Sequence, residues 1–309
     1  MSDIERTFKR HPSNPIITAA DLPYQANAVF NAGAADLGDS VLLLVRVESC
    51  SGRSHLIVAR SDDGIGGWQF EEQALLHPAQ GVAYEENGVE DSRLTWMEDL
   101  GSWGIAYTAY SPYGPGVALA LTTDFKEVKR LGMVLPPDDK NAGLFPQKFG
   151  ELYAMLHRPS VGGGSVWISY SPDLVYWGKP KVVLPVRGGP WWDGMRVGAC
   201  LPPIRTEKGW LLIYHGVKEV VRNPVYRIGA ALLHPDDPGK LIARGRWWLM
   251  TPTAPYERSG DAPNVVFACG GILRQDELWM YYGGADSCIC LAKAKLDAIY
   301  SMLNTEDVG

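Results

Sequence analysis

Ala59-Arg60-Ser61-Asp62-Asp63-Gly64, followed by Trp68, closes a strand-like run in an acidic turn and then anchors the next segment with an indole. The same arrangement returns along the chain. Leu121-Thr122-Thr123-Asp124-Phe125 ends an apolar run in Asp, and Ser169-Tyr170-Ser171-Pro172-Asp173-Leu174 does so and leads to Trp177. Ala231-Leu232-Leu233-His234-Pro235-Asp236 ends another strand in an acidic turn. The recurrences lie roughly 50 to 60 residues apart, a period that suits the four-stranded blades of a β-propeller. About five such units fill the chain. A β-sandwich is the competing architecture, but it supplies no reason for so long a repeat.

Outward from these turns the pattern stays strand-like. Short apolar runs at Val41–Val47, His55–Arg60, Gly104–Tyr110, Gly116–Leu121, Leu152–Leu156, Val166–Tyr170, Trp210–Tyr214 and Leu278–Tyr282 lie between Gly, Pro, Asp and Ser clusters. Helical periodicity is confined to Lys295–Leu303 and a short N-terminal stretch. No Gly/Ser-rich or Pro-rich linker divides the chain. The expectation is an all-β, five-bladed β-propeller, with residues 1–309 forming a single catalytic domain. Gly162-Gly163-Gly164 lies between two strand-like runs and precedes no helix, so it reads as a flexible hairpin.

The 309 residues are 46% hydrophobic and 21% charged, with a formal net charge of -6. That balance points to a soluble globular protein and offers no footprint for nucleic acid or an acidic membrane. The most apolar run, Val41–Val45, is far too short to span a bilayer. The N-terminal residues lack an apolar signal region, and Cys50, Cys200, Cys269, Cys288 and Cys290 form no C-x-x-C pair. Reduced thiols and a cytoplasmic location are expected, with short imported saccharides as substrates. The 11 Trp and 14 Tyr pack sheets well, and their flat faces also stack on sugar rings.

A propeller gathers function on loops around its axis, so candidate residues should be scattered in sequence. One cluster is acidic: Tyr84-Glu85-Glu86-Asn87-Gly88-Val89-Glu90-Asp91-Ser92-Arg93. It reads either as the source of a general acid for glycosidic cleavage or as a solvated loop in which Arg93 neutralises one carboxylate. A basic set follows: Lys140-Asn141, Lys148, His157-Arg158-Pro159, Arg196 within Trp191–Gly198, and His215 within Ile213–Val217. These side chains read as an anion site or as ordinary surface charges, and His215 alone as a core histidine. No spacing matches a metal site, P-loop, dinucleotide fingerprint or nucleophile elbow.

Taken in order, the motifs resemble glycoside hydrolase family 130, the β-mannoside phosphorylases and their hydrolytic relatives. The match runs through Val29–Gly33, Leu43–Glu48, Ala59–Gly64 with Trp68, Gly88–Asp91, Leu144–Lys148 and Met155–Pro159. It continues in Pro202–Ile204, Gly209–Gly216, Asn264–Phe267 and Tyr281–Asp286. The resemblance implies a five-bladed propeller and an inverting enzyme with Asp91 as catalytic acid, acting through a hydroxyl of the bound mannose. It places Asn31, Arg46 and Asp286 on the mannose and Lys140, Arg158, Arg196 and His215 on phosphate. Three departures stand out: Ser92 where the family usually has proline, Arg196 for a common lysine, and Cys200-Leu201 for the usual Gly-Pro.

The basic quartet bears on reaction type. An inverting hydrolase activates water with a carboxylate base, whereas phosphate dianion is already a nucleophile and needs cations to hold it. The implied reaction is phosphorolysis of a short β-mannoside to α-mannose 1-phosphate and a shortened acceptor. Inorganic phosphate is the co-substrate, with no metal or organic cofactor and a homo-oligomer possible. The rivals are an exo-acting β-mannosidase, with Glu85, Glu86 or Asp193 as base, and a non-catalytic glycan-binding propeller. Linkage and acceptor depend on loops whose conformation the residues alone do not reveal.

Overall fold

The computed structural model describes residues 7–160, 163–218 and 224–305. At 53% strand and 7% helix the fold is all-β, against roughly 30–35% helix in ordinary globular proteins. Two short strands, β1 (Lys9–Arg10) and β2 (Ile17–Thr18), precede a meander of β3 (Ala28–Asp36), β4 (Val41–Glu48), β5 (Ser54–Ser61) and β6 (Gln69–Phe70). A second meander comprises β7 (Gly88–Met97), β8 (Ser102–Ser111), β9 (Gly114–Thr122) and β10 (Lys129–Leu135). A third comprises β11 (Asp139–Leu144), β12 (Tyr153–Pro159), β13 (Val166–Ser171) and β14 (Gly178–Leu184).

In the fourth, β15 (Arg196–Ala199) and β16 (Ile204–Thr206) both pair with β17 (Gly209–Lys218), followed by β18 (Val225–Leu233) and β19 (Leu241–Gly245). After α1 (Pro255–Arg258) come β20 (Val266–Arg274), β21 (Glu277–Gly284) and β22 (Cys288–Lys295). This last group is completed from the other end of the chain, because β1 and β2 pair with β22. The helix α2 (Leu296–Tyr300) falls inside the segment read as helical, and β23 (Leu303–Asn304) adds to β19. Among the described residues the strands form four sheets, not five. The first two meanders share one sheet, joined by the single parallel pair Ser54–Gly88. Gly162 lies outside the described residues; Gly163 and Gly164 take positive φ between β12 and β13.

Why Val41–Val45 is apolar at every position becomes clear from the packing. Alternate residues of a strand face opposite sides. Leu42 and Leu44 join Val58, Ile105 and Ala120 towards the second meander, while Val41, Leu43 and Val45 join Tyr281 and Ile289 of the fifth group. Further apolar layers lie between the second and third meanders, the third and fourth, and the fourth and the last group.

The repeated acidic turn has one physical job. Asp63 Oδ1 accepts from the backbone N–H of Ile65 and Gly66. Asp124 Oδ1 does the same for Lys126 and Glu127, and Asp173 Oδ1 for Val175 and Tyr176. Each side chain supplies acceptors to a turn linking the third and fourth strands of its meander. Trp68 and Trp177 then donate from Nε1 to the carbonyls of Ile65 and Leu174, at 3.2 and 3.0 Å. The fourth meander uses a different device, with His234 Nδ1 accepting from Asp236 and Asp237.

Trp210 is fully buried between the third and fourth meanders. It packs edge-on to Phe145 and Phe149 at 5.1 and 5.8 Å and donates to the Pro235 carbonyl at 3.0 Å. Trp210→Ala is expected to cost about 3–5 kcal/mol in denaturant unfolding, from lost burial and the cavity left behind. A loss below about 1 kcal/mol would contradict this packing.

Candidate active site

Three meanders begin with the same irregularity. The register of β3 on β4 shifts between Phe30 and Gly33, that of β7 on β8 between Glu90 and Arg93, and that of β11 on β12 between Lys140 and Gly143. Each bulge holds a polar residue in the left-handed region: Asn31 at φ 52°, Asp91 at 52° and Asn141 at 56°. Asn and Asp tolerate that conformation best among residues with a side chain, and a bulge re-aims what it carries. Gly33 lets two such strands approach, since a Cβ there would lie 2.8 Å from the Ser92 carbonyl oxygen. Ser92, buried, donates to the Leu44 carbonyl at 3.1 Å and so ties the second bulge to β4. Asp286 reaches the same place from the β21–β22 turn, where Ala285 and Asp286 both have positive φ.

One wall of the resulting cavity is acidic. Asn31 Nδ2 and Arg46 Nη1 donate to Asp91 Oδ1 at 3.0 and 2.9 Å, and Arg46 Nη2 donates to Glu90 at 2.9 Å. Arg46 also rests over the Phe30 ring and donates to Ser54 Oγ. Burial works against ionisation of Asp91, but the nearby Arg46 and Arg93 and its two hydrogen-bond donors outweigh it. The carboxyl is held below its ordinary value. Glu90 moves the other way, because burial and the neighbouring Asp91 outweigh Arg46. Burial, reinforced by Asp91, pushes Asp286 up to about 7.

A second part of the lining is cationic. Lys140 and Arg158 are direct cross-strand partners on β11 and β12. Arg158 Nε donates to Asn141 Oδ1 at 2.9 Å, and Arg196 lies near Tyr226 with its buried Nε unpartnered among the described residues. Burial lowers the proton affinity of both Lys140 and Arg158, with repulsion from Arg158 and Arg46 adding to it at Lys140 and from Arg196 and Arg93 at Arg158. His215, fully buried beside Phe267, falls well below its ordinary value through burial and the surrounding Arg158, Arg93, Arg196 and Lys140. Its Nδ1 lies 3.7 Å from the Cys200 thiol, which burial pushes up to about 12. A Cβ on Gly198 would sit 2.5 Å from the His215 ring and 2.9 Å from Asn141 Oδ1, so glycine is required there.

All eight residues singled out from the sequence line this one cavity of about 410 Å³: Asn31, Arg46, Asp91, Lys140, Arg158, Arg196, His215 and Asp286. Glu90 and Asn141 join them, with a mostly apolar remainder that includes Tyr226, Val265 and Phe267. Other candidates lie elsewhere. Glu85 is buried under Tyr107 and the Ala79 amide, and Glu86 is exposed. Asp193 is locked by Arg187, Arg244 and Tyr214. Lys148 pairs with Asp99 at the surface, and His157 sits between Asp139 and Ser169.

Arg93 is the positioning residue that sequence reading undervalued. Fully buried, it donates to the carbonyls of Asp91, Cys200 and Ala199 at 2.9, 2.7 and 3.0 Å. It therefore ties the Asp91 bulge to the fourth meander. No group of three or more His, Cys, Asp or Glu among the described residues can hold a metal ion, and no described helix is long and apolar enough to cross a membrane.

Residues 3–305 match the family model described as β-1,4-mannooligosaccharide phosphorylase. The chain belongs to glycoside hydrolase family 130. Within that family it is 38% identical to the β-1,2-mannobiose phosphorylase of Listeria innocua, covering 82% of this chain and 70% of that protein. It is 34% identical to the 1,2-β-oligomannan phosphorylase of a Thermoanaerobacter species, over 92% and 96% of the two. The solved structure of the Listeria innocua β-1,2-mannobiose phosphorylase with β-1,2-mannobiose superposes with a TM-score of 0.87 at 31% identity, covering 96% of this chain and 98% of that one.

The raised Asp286 has a measurable signature. Between the ordinary carboxyl value of 3.8 and about 7, the folded protein keeps a proton that the unfolded chain has released, so this group's contribution to stability falls as pH rises through that window. Asp286→Asn removes the effect. Relative to the parent, the variant should gain more stability at about pH 8 than at about pH 4, read from denaturation midpoints. Equal differences at the two pH values would mean that Asp286 titrates normally.

Proposed function

We propose that the chain is a β-mannoside phosphorylase, built as one five-bladed propeller across residues 1–309. The five strand groups, with apolar layers between successive groups and the first packed on the last, support the propeller reading. The observation that carries the function is the group of three cations, Lys140, Arg158 and Arg196, lining the same cavity as Asp91. An inverting hydrolase needs a base across the sugar from its acid, with room for water between. Here the carboxylates of the cavity are Glu90, Asp91 and Asp286, and Glu90 adjoins Asp91 on the same wall, bound to Arg46. The three sequence candidates for a base lie outside the lining. The named phosphorylases among the relatives support the same conclusion.

In this reading Asn31, Arg46 and Asp286 hold the mannose, and the cations hold phosphate with His215 as a neutral hydrogen-bonding partner. A phosphate oxygen attacks the anomeric carbon, and the glycosidic C–O bond breaks. Asp91 supplies the proton taken up by the leaving oxygen. The products are α-mannose 1-phosphate and a shortened acceptor, with inorganic phosphate as the only co-substrate.

Asp91 is ionised in the empty site, so it must gain a proton before it can act as acid. Phosphate entering the cationic wall brings negative charge near the three carboxyls and raises their proton affinity. Binding of inorganic phosphate should therefore take up more protons in the parent than in Asp91→Asn, a difference that cancels the anion's own titration and is read from the buffer dependence of the heat in titration calorimetry at neutral pH. The same buffer dependence in both proteins would break this coupling.

Short β-1,2- and β-1,4-mannosides incubated with and without phosphate should give mannose 1-phosphate only when phosphate is present, and the productive substrate identifies the linkage. Free mannose released without phosphate would make the chain a hydrolase. Asp91→Asn should lower turnover by about 10²–10⁴ while still binding phosphate.

A further inference from the structure

Two tryptophan pairs far apart in the chain, Trp191-Trp192 and Trp247-Trp248, meet beside the β17–β18 hairpin. Tyr226 lines the catalytic cavity, while Arg227, next along β18, lines a separate hollow, as alternation along a strand requires. With Lys218, Arg227 and the four indoles in its lining, that hollow measures about 410 Å³, within the roughly 300–1,000 Å³ of small-molecule sites.

Its floor is rigid. Trp192 is buried, stacks on Tyr214 at 5.6 Å and donates to the Arg246 carbonyl at 3.1 Å. Trp248 meets Trp192 edge-on and lies under the Arg227 guanidinium, 4.6 Å from its ring centre. Trp191 and Trp247 stand 6.4 Å apart, and Trp247 leaves 42% of its surface to solvent. Arg227 Nη1 and Trp248 Nε1 are buried donors with no partner among the described residues, and such donors cost stability until an acceptor reaches them.

Among the described residues lining the hollow there is no carboxylate. An occupant must therefore present acceptor oxygens to Lys218 and Arg227 and a flat, C–H-rich face to the indoles. A free anion would meet the cations and leave the aromatic faces unused. A pyranose meets both demands.

We propose that this hollow is a second, non-catalytic saccharide site that takes a pyranose unit of a manno-oligosaccharide. The inference rests on the reading of the substrate as a β-mannoside. The test is calorimetric titration of manno-tetrasaccharide into the full-length Asp91→Asn protein, alone and combined with Trp247→Ala, beside the parent's phosphorolysis of mannobiose.

Two saccharides should bind each Asp91→Asn chain, one of them lost or weakened roughly three- to ten-fold when Trp247 is removed. Trp247→Ala alone should phosphorolyse mannobiose as the parent does. One-to-one binding that Trp247→Ala leaves intact, in a protein that still phosphorolyses mannobiose, would overturn the second site and spare the function. Absence of both binding and phosphorolysis would overturn both. If sedimentation shows that Trp247→Ala splits an oligomer, the face is an interface between copies and the proposal fails.

Discussion

Lys140 and Arg158 face each other across two paired strands, with Arg196 close behind and little solvent to dilute their repulsion. Like charges in that relation oppose folding, and a buried cation without a counter-charge costs more still. Much of the surrounding structure manages this cost. Asn141 accepts from Arg158, Asp139 accepts from its backbone, and the acids of the same cavity hold part of the field. Among the described residues these arrangements leave Arg196 Nε unmatched. In the phosphorylase reading, the phosphate that enters the cavity supplies the counter-charge.

The acid wall solves the reverse problem. Glu90, Asp91 and Asp286 share a space with one firmly bound cation, Arg46, and cannot all ionise at equal cost. Donors converge on Asp91: Asn31 and Arg46 on its carboxylate, Arg93 on its carbonyl. The other two carboxyls are left with the burden of burial and are pushed up. Titratable neighbours whose environments drive their proton affinities apart are a mark of acid–base sites.

Much of this was legible in the sequence. The turns at Asp63, Asp124 and Asp173 announced the repeat because an Asx turn needs its acid at a fixed offset from the amides it serves. Strand runs such as Val41–Val47 and Val166–Tyr170 fell within a residue or so of their observed bounds, since periodicity reports burial directly. The eight site residues were placed by the resemblance to the family. Their residue types alone left open whether each was a ligand-binding group or a solvated charge. Bulges were the signal missed: Asn31-Ala32-Gly33 and Asn141-Ala142-Gly143 are the same three residues at matching places in two meanders. Arg93 does favour the Asp91 carboxylate, but its positioning role was missed, because sequence shows which charges are near in the chain and not which carbonyls fold onto them. The division into sheets was also beyond reach, since one residue pair, Ser54–Gly88, merges two meanders into one.

Grouping His215 with Lys140, Arg158 and Arg196 as one basic set hides a division of labour. An imidazole surrounded by guanidinium groups and removed from water loses its proton, so His215 adds no charge to the empty wall. Its Nδ1 is turned to the Cys200 thiol, and Gly198 clears space for the other edge of its ring. In the phosphorylase reading, the three cations supply long-range attraction, and the planar forks of Arg158 and Arg196 add hydrogen bonds of fixed direction. A neutral ring fixed by packing against Phe267 adds a directed partner that carries no charge. A fourth positive charge there would have added its own repulsion to that already within the wall.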